Sequence, residues 1–178
     1  MSQEDSRRTG FTIIEILVVV IIIAILAGLA AVQYFKTIEA HRADQGLAVA
    51  QQIAAANHMF SLDNINDVTG SRIYPFGQIN DTCNSGACGN GSSPCDLVRC
   101  TYLARRSWSS LPYNIYALNP SDTFADSNCG FTSSGISGTG YTACVSHKTG
   151  VSAPYVNWGY VVDTTGRIQA VNGAPSPL

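Results

Sequence analysis

The sequence predicts an α+β protein, in which one long N-terminal helix packs on a small antiparallel β-sheet with disulfide-closed loops. Helical patterns run from residue 12 to residue 62, and no proline occurs before Pro75. Short segments rich in β-branched and aromatic residues, as expected of strands, follow residue 112. All six cysteines follow residue 82, in a region rich in Gly, Ser and Asn. A length of 178 residues fits one globular domain plus an apolar segment.

The first half of the predicted helix is apolar enough to cross a membrane. Residues 16–32 form a run of seventeen without a charged or strongly polar side chain. Extended to Phe35 the run has twenty residues, and such a helix rises about 30 Å, the thickness of a bilayer core. A secretory signal peptide has an apolar core of only about 7–15 residues. A plain signal anchor is a second interpretation, for which Arg7 and Arg8 favour a cytoplasmic N-terminus.

A third interpretation rests on the stretch "GFTIIEILVVVIIIAILA", which resembles the N-terminal motif of type IV prepilins and of the pseudopilins of type II secretion systems. In that family a membrane peptidase cuts a short polar leader after a glycine, and the new N-terminal residue is methylated. The fifth residue of the mature chain is a glutamate. Gly10 matches the residue before the cut, Phe11 the methylated residue and Glu15 the glutamate.

Two positions depart from the family pattern. Thr9 stands where a basic residue is frequent, and Arg8 lies one position earlier. Val32, in the phrase "AAVQY", stands where a proline is frequent, so no kink is predicted there.

The resemblance divides the chain into four parts: a leader (1–10), a transmembrane and polymerisation helix (11–35), an amphipathic helix half (36–62) and a globular pilin head (63–178). It implies a structural subunit and not an enzyme. A prepilin peptidase/N-methyltransferase processes the precursor, which crosses the inner membrane once with its head outside the cytoplasm. Inner-membrane machinery then assembles it into a homo- or heteropolymer, a type IV pilus or pilus-like filament at the cell surface. The alternatives are a pseudopilin of type II secretion and, more distantly, a membrane-anchored or secreted disulfide-rich binding domain or a small extracellular enzyme.

Glu15 has a physical explanation on this hypothesis. A carboxylate at the centre of a membrane helix costs about 2.5–3.5 kcal/mol on insertion scales. Cleavage after Gly10 would give Phe11 a positively charged amine, about one helical turn from Glu15 or near the Glu15 of a neighbouring subunit. Pairing offsets the burial of both charges. Glu15 is therefore expected to dock subunits in register.

From Lys36 the predicted helix becomes amphipathic. One apolar stripe recurs at spacings of four, three and four residues, as on one face of a helix; it consists of Val49, Ile53, Ala56 and Phe60. His41 and His58 are assigned to the polar face. The helix as a whole is predicted from Thr12 to Leu62.

The head begins with a loop and is predicted to contain three or four antiparallel strands packed on the apolar stripe. The strand segments are "YNIYALN" (113–119), "YTACVS" (141–146), "YVNWGYVV" (155–162) and, after the turn "DTTG", "RIQAV" (167–171). The loop residues 63–67 contain Asp and Asn side chains, but their spacing fails for an EF-hand, so a helix-terminating turn is expected there.

The cysteines predict disulfides formed in an oxidising compartment. Zinc is the alternative, but the spacings differ from those of structural zinc sites and His147 is the only nearby histidine. Cys83, Cys88, Cys95 and Cys100 permit nested pairs (83–100 with 88–95) or side-by-side pairs (83–88 with 95–100), and sequence does not choose between them. Cys129 and Cys144 resemble the pair that closes the C-terminal loop of many type IV pilins.

Charge and motifs favour no other class of function. Residues 36–178 contain eight Lys/Arg and nine Asp/Glu with no long run of either sign, which gives no reason to expect a nucleic-acid groove. No catalytic constellation, phosphate loop or HExxH motif occurs, and no cofactor or metal is predicted.

Overall fold

The structure is a computed structural model that describes residues 12–148 and 157–175. Its helices and strands, in chain order, are α1 (Ile13–Asp63), β1 (Gly77–Gln78), α2 (Asp96–Arg99), β2 (Tyr113–Ala117), β3 (Tyr141–His147), β4 (Gly159–Asp163) and β5 (Ile168–Val171). Single turns of 3₁₀-helix occupy Asp81–Asn84 and Asp126–Cys129. The α+β class predicted from the sequence is confirmed.

The helix α1 begins and ends within one residue of its predicted bounds. From Glu39 onwards it belongs to the compact unit that contains the sheet. All four residues of the predicted apolar stripe are buried there, while His41 and His58 are exposed. The amphipathic pattern therefore identified the face that packs on the sheet.

The sheet has five antiparallel strands in the order β1-β2-β3-β4-β5, so neighbours in sequence are neighbours in space. The strands β2, β3 and β5 match predicted segments. The strand β4 occupies the second part of the predicted segment 155–162, of which residues 155 and 156 lie outside the described residues. The β4–β5 hairpin after Asp163 is as expected. The additional strand, β1, pairs only Gly77 with Ala117 and Gln78 with Tyr116, and two residues are too few to show the alternation by which strands are recognised.

Two glycines allow close approach in the core. A Cβ at Gly46, in α1, would lie 3.1 Å from Val145 on β3 and 3.3 Å from Trp158. A Cβ at Gly159 would overlap the ring of Phe131 and lie 2.8 Å from the Val145 carbonyl oxygen. A glycine at position 46 destabilises the isolated helix by about 1 kcal/mol relative to alanine. Its lack of a side chain allows the helix backbone to lie close to the sheet.

A buried side chain adds a polar link between α1 and the head. The Nδ2 group of Asn57, a fully buried residue, donates hydrogen bonds to the carbonyl oxygens of Leu118 (2.8 Å), Thr142 (3.1 Å) and Pro75 (3.3 Å). The three acceptors lie on three separate segments of the chain. Because a buried carbonyl without a partner is costly, this amide favours one placement of α1 against those segments.

The disulfides join Cys83 to Cys95, Cys88 to Cys100 and Cys129 to Cys144, with Cα separations of 4.4, 4.7 and 6.0 Å. The pair 129–144 agrees with the family resemblance. The nested and side-by-side pairings are both wrong, because the first two bonds interlace. Cys95 and Cys100 lie at opposite ends of the single turn of α2 and do not bond each other. Each bonds a cysteine that precedes α2 in the chain.

The segment after α1 is a turn, as predicted. The Asn66 Oδ1 atom accepts hydrogen bonds from the backbone N–H groups of Val68 and Thr69, and Ile65 and Arg72 form an isolated β-bridge across it. Asn64 Nδ2 donates to the Phe60 carbonyl oxygen at the end of the helix. These side chains are occupied in shaping the turn.

We predict that Asn57→Ala lowers the free energy of unfolding by about 1–3 kcal/mol. The carbonyl oxygens of Leu118 and Pro75 lose the amide donor, whereas the Thr142 carbonyl oxygen keeps the Leu118 backbone N–H at 2.9 Å. Urea unfolding of the full chain in detergent micelles measures the change. His58→Ala, an exposed neighbour on the same helix, is the control and is expected to change stability by less than about 0.5 kcal/mol. Equal effects of the two substitutions would contradict the structural role of Asn57.

Candidate assembly helix

The candidate functional site is the N-terminal part of α1, which carries the predicted docking residue. Gly10 and Phe11, the predicted cleavage and methylation site, lie outside the described residues, as does the leader. Glu15 lies in the first turn of α1. Residue 12 is the first that the structure describes.

Thr12 and Glu15 cap this helix reciprocally. A Glu15 carboxylate oxygen, Oε2, accepts hydrogen bonds from the Thr12 backbone N–H and the Thr12 hydroxyl, both at 3.3 Å. In return the Thr12 hydroxyl oxygen accepts the Glu15 backbone N–H at 3.4 Å. This is a capping box, in which the Glu15 N–H is shared between the Thr12 hydroxyl and the Thr12 carbonyl oxygen, the latter at 3.2 Å.

The capping box has a sequence signal of its own, separate from the docking motif. The residues "TIIE" have the pattern Thr-x-x-Glu immediately before an apolar run, and that pattern is typical of helix starts. A carboxylate near the positive end of the helix dipole is favourable as well. Glu15 therefore has a local structural role that requires no second subunit.

The surface that follows Glu15 is apolar and exposed. Every described side chain between Ile13 and Phe35 is exposed, with Ile13 the most exposed at 89% and Val18 the least exposed of the large apolar side chains at 48%. By length and composition this part of α1 can cross a membrane. A contiguous apolar surface of this extent indicates contact with lipid or with other protein.

Small residues interrupt the apolar surface at helical spacing. Ala24 and Gly28 are four residues apart, as are Ala27 and Ala31. Within the described part of the chain nothing lies within 4 Å of a Cβ built at Gly28. Such small-xxx-small pairs allow helices to approach closely where no water is present.

Glu15 is followed along the sequence by a long stretch without charged side chains. No Asp, Glu, Lys or Arg occurs between it and Lys36. In the described residues its carboxylate contacts only Thr12, a neutral side chain. The capping box orients the carboxylate but leaves its charge uncompensated within the described residues.

The described residues contain no group of three or more His, Cys, Asp and Glu side chains arranged to hold a metal ion.

In the head, the Asp81 carboxylate has a structural role. The pKa of Asp81 is lowered by hydrogen bonds from Ser109 and from the Trp108 backbone, with Lys148 nearby. This carboxylate holds the segment around Trp108 in place.

Comparison with known proteins identifies the N-terminal segment. Residues 5–31 match the family model of the prokaryotic N-terminal methylation motif. No curated protein and no solved structure matches the chain. The match covers the predicted cleavage site, Glu15 and most of the apolar surface, and does not extend to the head.

We predict that Thr12→Ala frays the start of α1. Loss of a capping threonine costs about 0.5–2 kcal/mol, so amide hydrogen exchange at residues 14–16 should accelerate on the order of 2- to 30-fold. Exchange measured by NMR on the full chain in micelles tests this. Thr37→Ala is the matched control, because the Thr37 hydroxyl donates to the Gln33 carbonyl oxygen in the middle of the helix. Unchanged exchange in Thr12→Ala would show that the capping box does not hold the helix start.

Proposed function

Because the chain carries the hallmark motif of type IV prepilins and pseudopilins, we propose that it is a prepilin whose mature form is a structural subunit of a type IV pilus or pilus-like filament. A prepilin peptidase/N-methyltransferase cuts after Gly10 and methylates Phe11. The precursor waits in the inner membrane as a single-pass protein with its head outside the cytoplasm. Inner-membrane assembly machinery then adds it to a homo- or heteropolymer of pilins at the cell surface.

The observation that carries the proposal is the motif followed by an exposed apolar helix. Between Ile13 and Phe35 the helix buries none of its described side chains within the chain itself. Lipid covers this apolar surface before assembly, and neighbouring copies of the same helix bury it in the filament. The pairs Ala24/Gly28 and Ala27/Ala31 give neighbouring helices room to approach.

Glu15 supplies register in this polymer. Its carboxylate pairs with the methylated amine of a neighbouring subunit's N-terminus, so that two charges buried among apolar helices neutralise each other. The capping box supports this role, because Thr12 holds the carboxylate at the very start of the helix. Register errors of one residue or more would leave both charges buried and unpaired.

Glu15 thus has two separable roles, helix cap and charged partner. Glutamine replaces glutamate acceptably in a capping box but carries no charge. Thr12→Ala has the opposite effect, since it removes the capping hydroxyl and keeps the carboxylate. The two variants therefore test charge and cap independently.

We predict that Glu15→Gln lowers incorporation into filaments at least about tenfold, since leaving one buried charge without its partner costs about 3–5 kcal/mol. Thr12→Ala is expected to assemble to within about threefold of wild type. Immunoblots of sheared filaments, with the membrane-held pool as loading control, measure incorporation in the native host. Wild-type assembly of Glu15→Gln would remove the charge-pairing role, and failure of Thr12→Ala alone would assign the docking defect to the cap.

A pseudopilin of a type II secretion system is the second candidate. The three disulfides favour a pilin over a pseudopilin by family-level analogy, because pseudopilin heads more often lack several disulfides. The two functions differ in where the polymer is found. A pilin appears in the sheared extracellular fraction at native expression, whereas deletion of a pseudopilin abolishes protein secretion.

A further inference from the structure

We infer that the head binds one neutral sugar residue in a pocket beside the short strand β1. The pocket has a volume of about 260 Å³ and lies between the β1–β2 pair and the segment that follows β2. This inference concerns the head alone and does not depend on the polymerisation proposed for α1. It assigns a ligand class to a surface that has no role in the filament function above.

The apolar wall of the pocket contains aromatic rings in addition to Ala117 and Leu118. Phe124 and Tyr141 pack edge to face with ring centroids 5.3 Å apart, and the Tyr141 hydroxyl reaches Gln169 Oε1 at 3.4 Å. Phe76 lines the pocket from the opposite chain segment and keeps 50% of its surface exposed. The C–H face of a pyranose ring packs on such rings as other apolar groups do.

The polar rim supplies neutral donors and acceptors. Amide side chains of Gln78, Asn119 and Asn128 line the pocket, together with the Asp122 carboxylate. An amide offers both an N–H donor and a carbonyl acceptor, which is what adjacent sugar hydroxyl groups require. The Gln78 Nε2 group also donates to Asn114 Oδ1 at 3.4 Å, so one of its donors is engaged. The Asn119 Oδ1 atom already accepts the Ser121 backbone N–H at 3.1 Å, so its conformation is fixed and its Nδ2 group remains available as a donor.

Charge narrows the class of ligand. The lining residues contain no Lys, Arg or His, and their only charged side chain is that of Asp122. Tyr116, another lining residue, is a neutral phenol at physiological pH, and burial raises its pKa further. An anionic sugar such as a uronic or sialic acid meets a carboxylate and no cation, and is disfavoured.

The size and polarity of the pocket narrow the class of ligand further. Pockets for drug-sized ligands span about 300–1,000 Å³, and this one is slightly smaller, which suits a single ring with the rest of a glycan in solvent. An apolar side chain of a protein partner would satisfy the aromatic wall but leave the amides and the carboxylate desolvated without partners. A neutral hexose or N-acetylhexosamine matches both sides of the pocket.

Saturation-transfer difference NMR on the full chain tests the inference. The protein is kept in lauryldimethylamine-oxide micelles, because the head groups of maltoside detergents are themselves sugars. The probes are the methyl glycosides of glucose, galactose and mannose, N-acetylglucosamine and N-acetylgalactosamine. Glucuronate and N-acetylneuraminate are the anionic comparison, and a Gly-Phe dipeptide amide represents a protein ligand. We expect at least one neutral probe to bind with a Kd on the order of 1 mM, as the affinity available per ligand atom allows.

Two variants locate the binding. Phe76→Ala and Asp122→Ala remove exposed side chains from the two sides of the pocket and are each expected to weaken binding at least about fivefold. Their matched controls, Met59→Ala and Asp67→Ala, are exposed residues that do not line it and should bind as wild type. The inference is overturned if no neutral sugar binds, if the anionic sugars or the dipeptide bind more tightly, or if the pocket variants bind as well as their controls.

Discussion

The packing of the second half of α1 against the sheet is the interaction on which the rest of the head depends. Gly46 brings the helix backbone close to Val145 and Trp158. Eleven residues further along, Asn57 ties the same face to the carbonyl oxygens of Pro75, Leu118 and Thr142. Apolar contact supplies the driving force, and the amide adds specificity, because a shifted helix would leave buried acceptors unpaired. The strand meander and its loops are organised around this contact.

Two of the three disulfides close a Gly- and Ser-rich segment of the head. The segment from Cys83 to Cys100 is rich in Gly and Ser, and such a segment buries little apolar surface of its own. Cys83 and Cys95 are nevertheless members of the main core cluster, so one bond of the interlaced pair fastens the loop to the core. The bond between Cys129 and Cys144 joins the loop after β2 to β3. Cys129 and Cys144 are fully buried in a second core cluster, so this bond reinforces a region that is also packed.

Sequence predicted what depends on local periodicity and missed what depends on distant contacts. The bounds of α1 and its buried face were predictable because the apolar spacing is regular and no helix breaker intervenes. The Thr12–Glu15 cap also has a local sequence signal, the pattern Thr-x-x-Glu before an apolar run. The strand β1 was not predictable, because two residues acquire strand character only through pairing with β2. The interlaced disulfides depend on the single turn of α2, and the pocket combines Phe76 with Phe124, residues far apart in the chain that only the folded sheet brings together.

The central claim is that the N-terminal segment is a processed assembly helix, and intact mass spectrometry of the protein from its native envelope tests it most directly. The account predicts the mass of residues 11–178 plus one methyl group, less the six hydrogens lost in forming three disulfides. A chain that begins near Ala31 would contradict it in favour of an ordinary secreted protein. A chain that retains residues 1–10 would contradict it in favour of a plain membrane anchor.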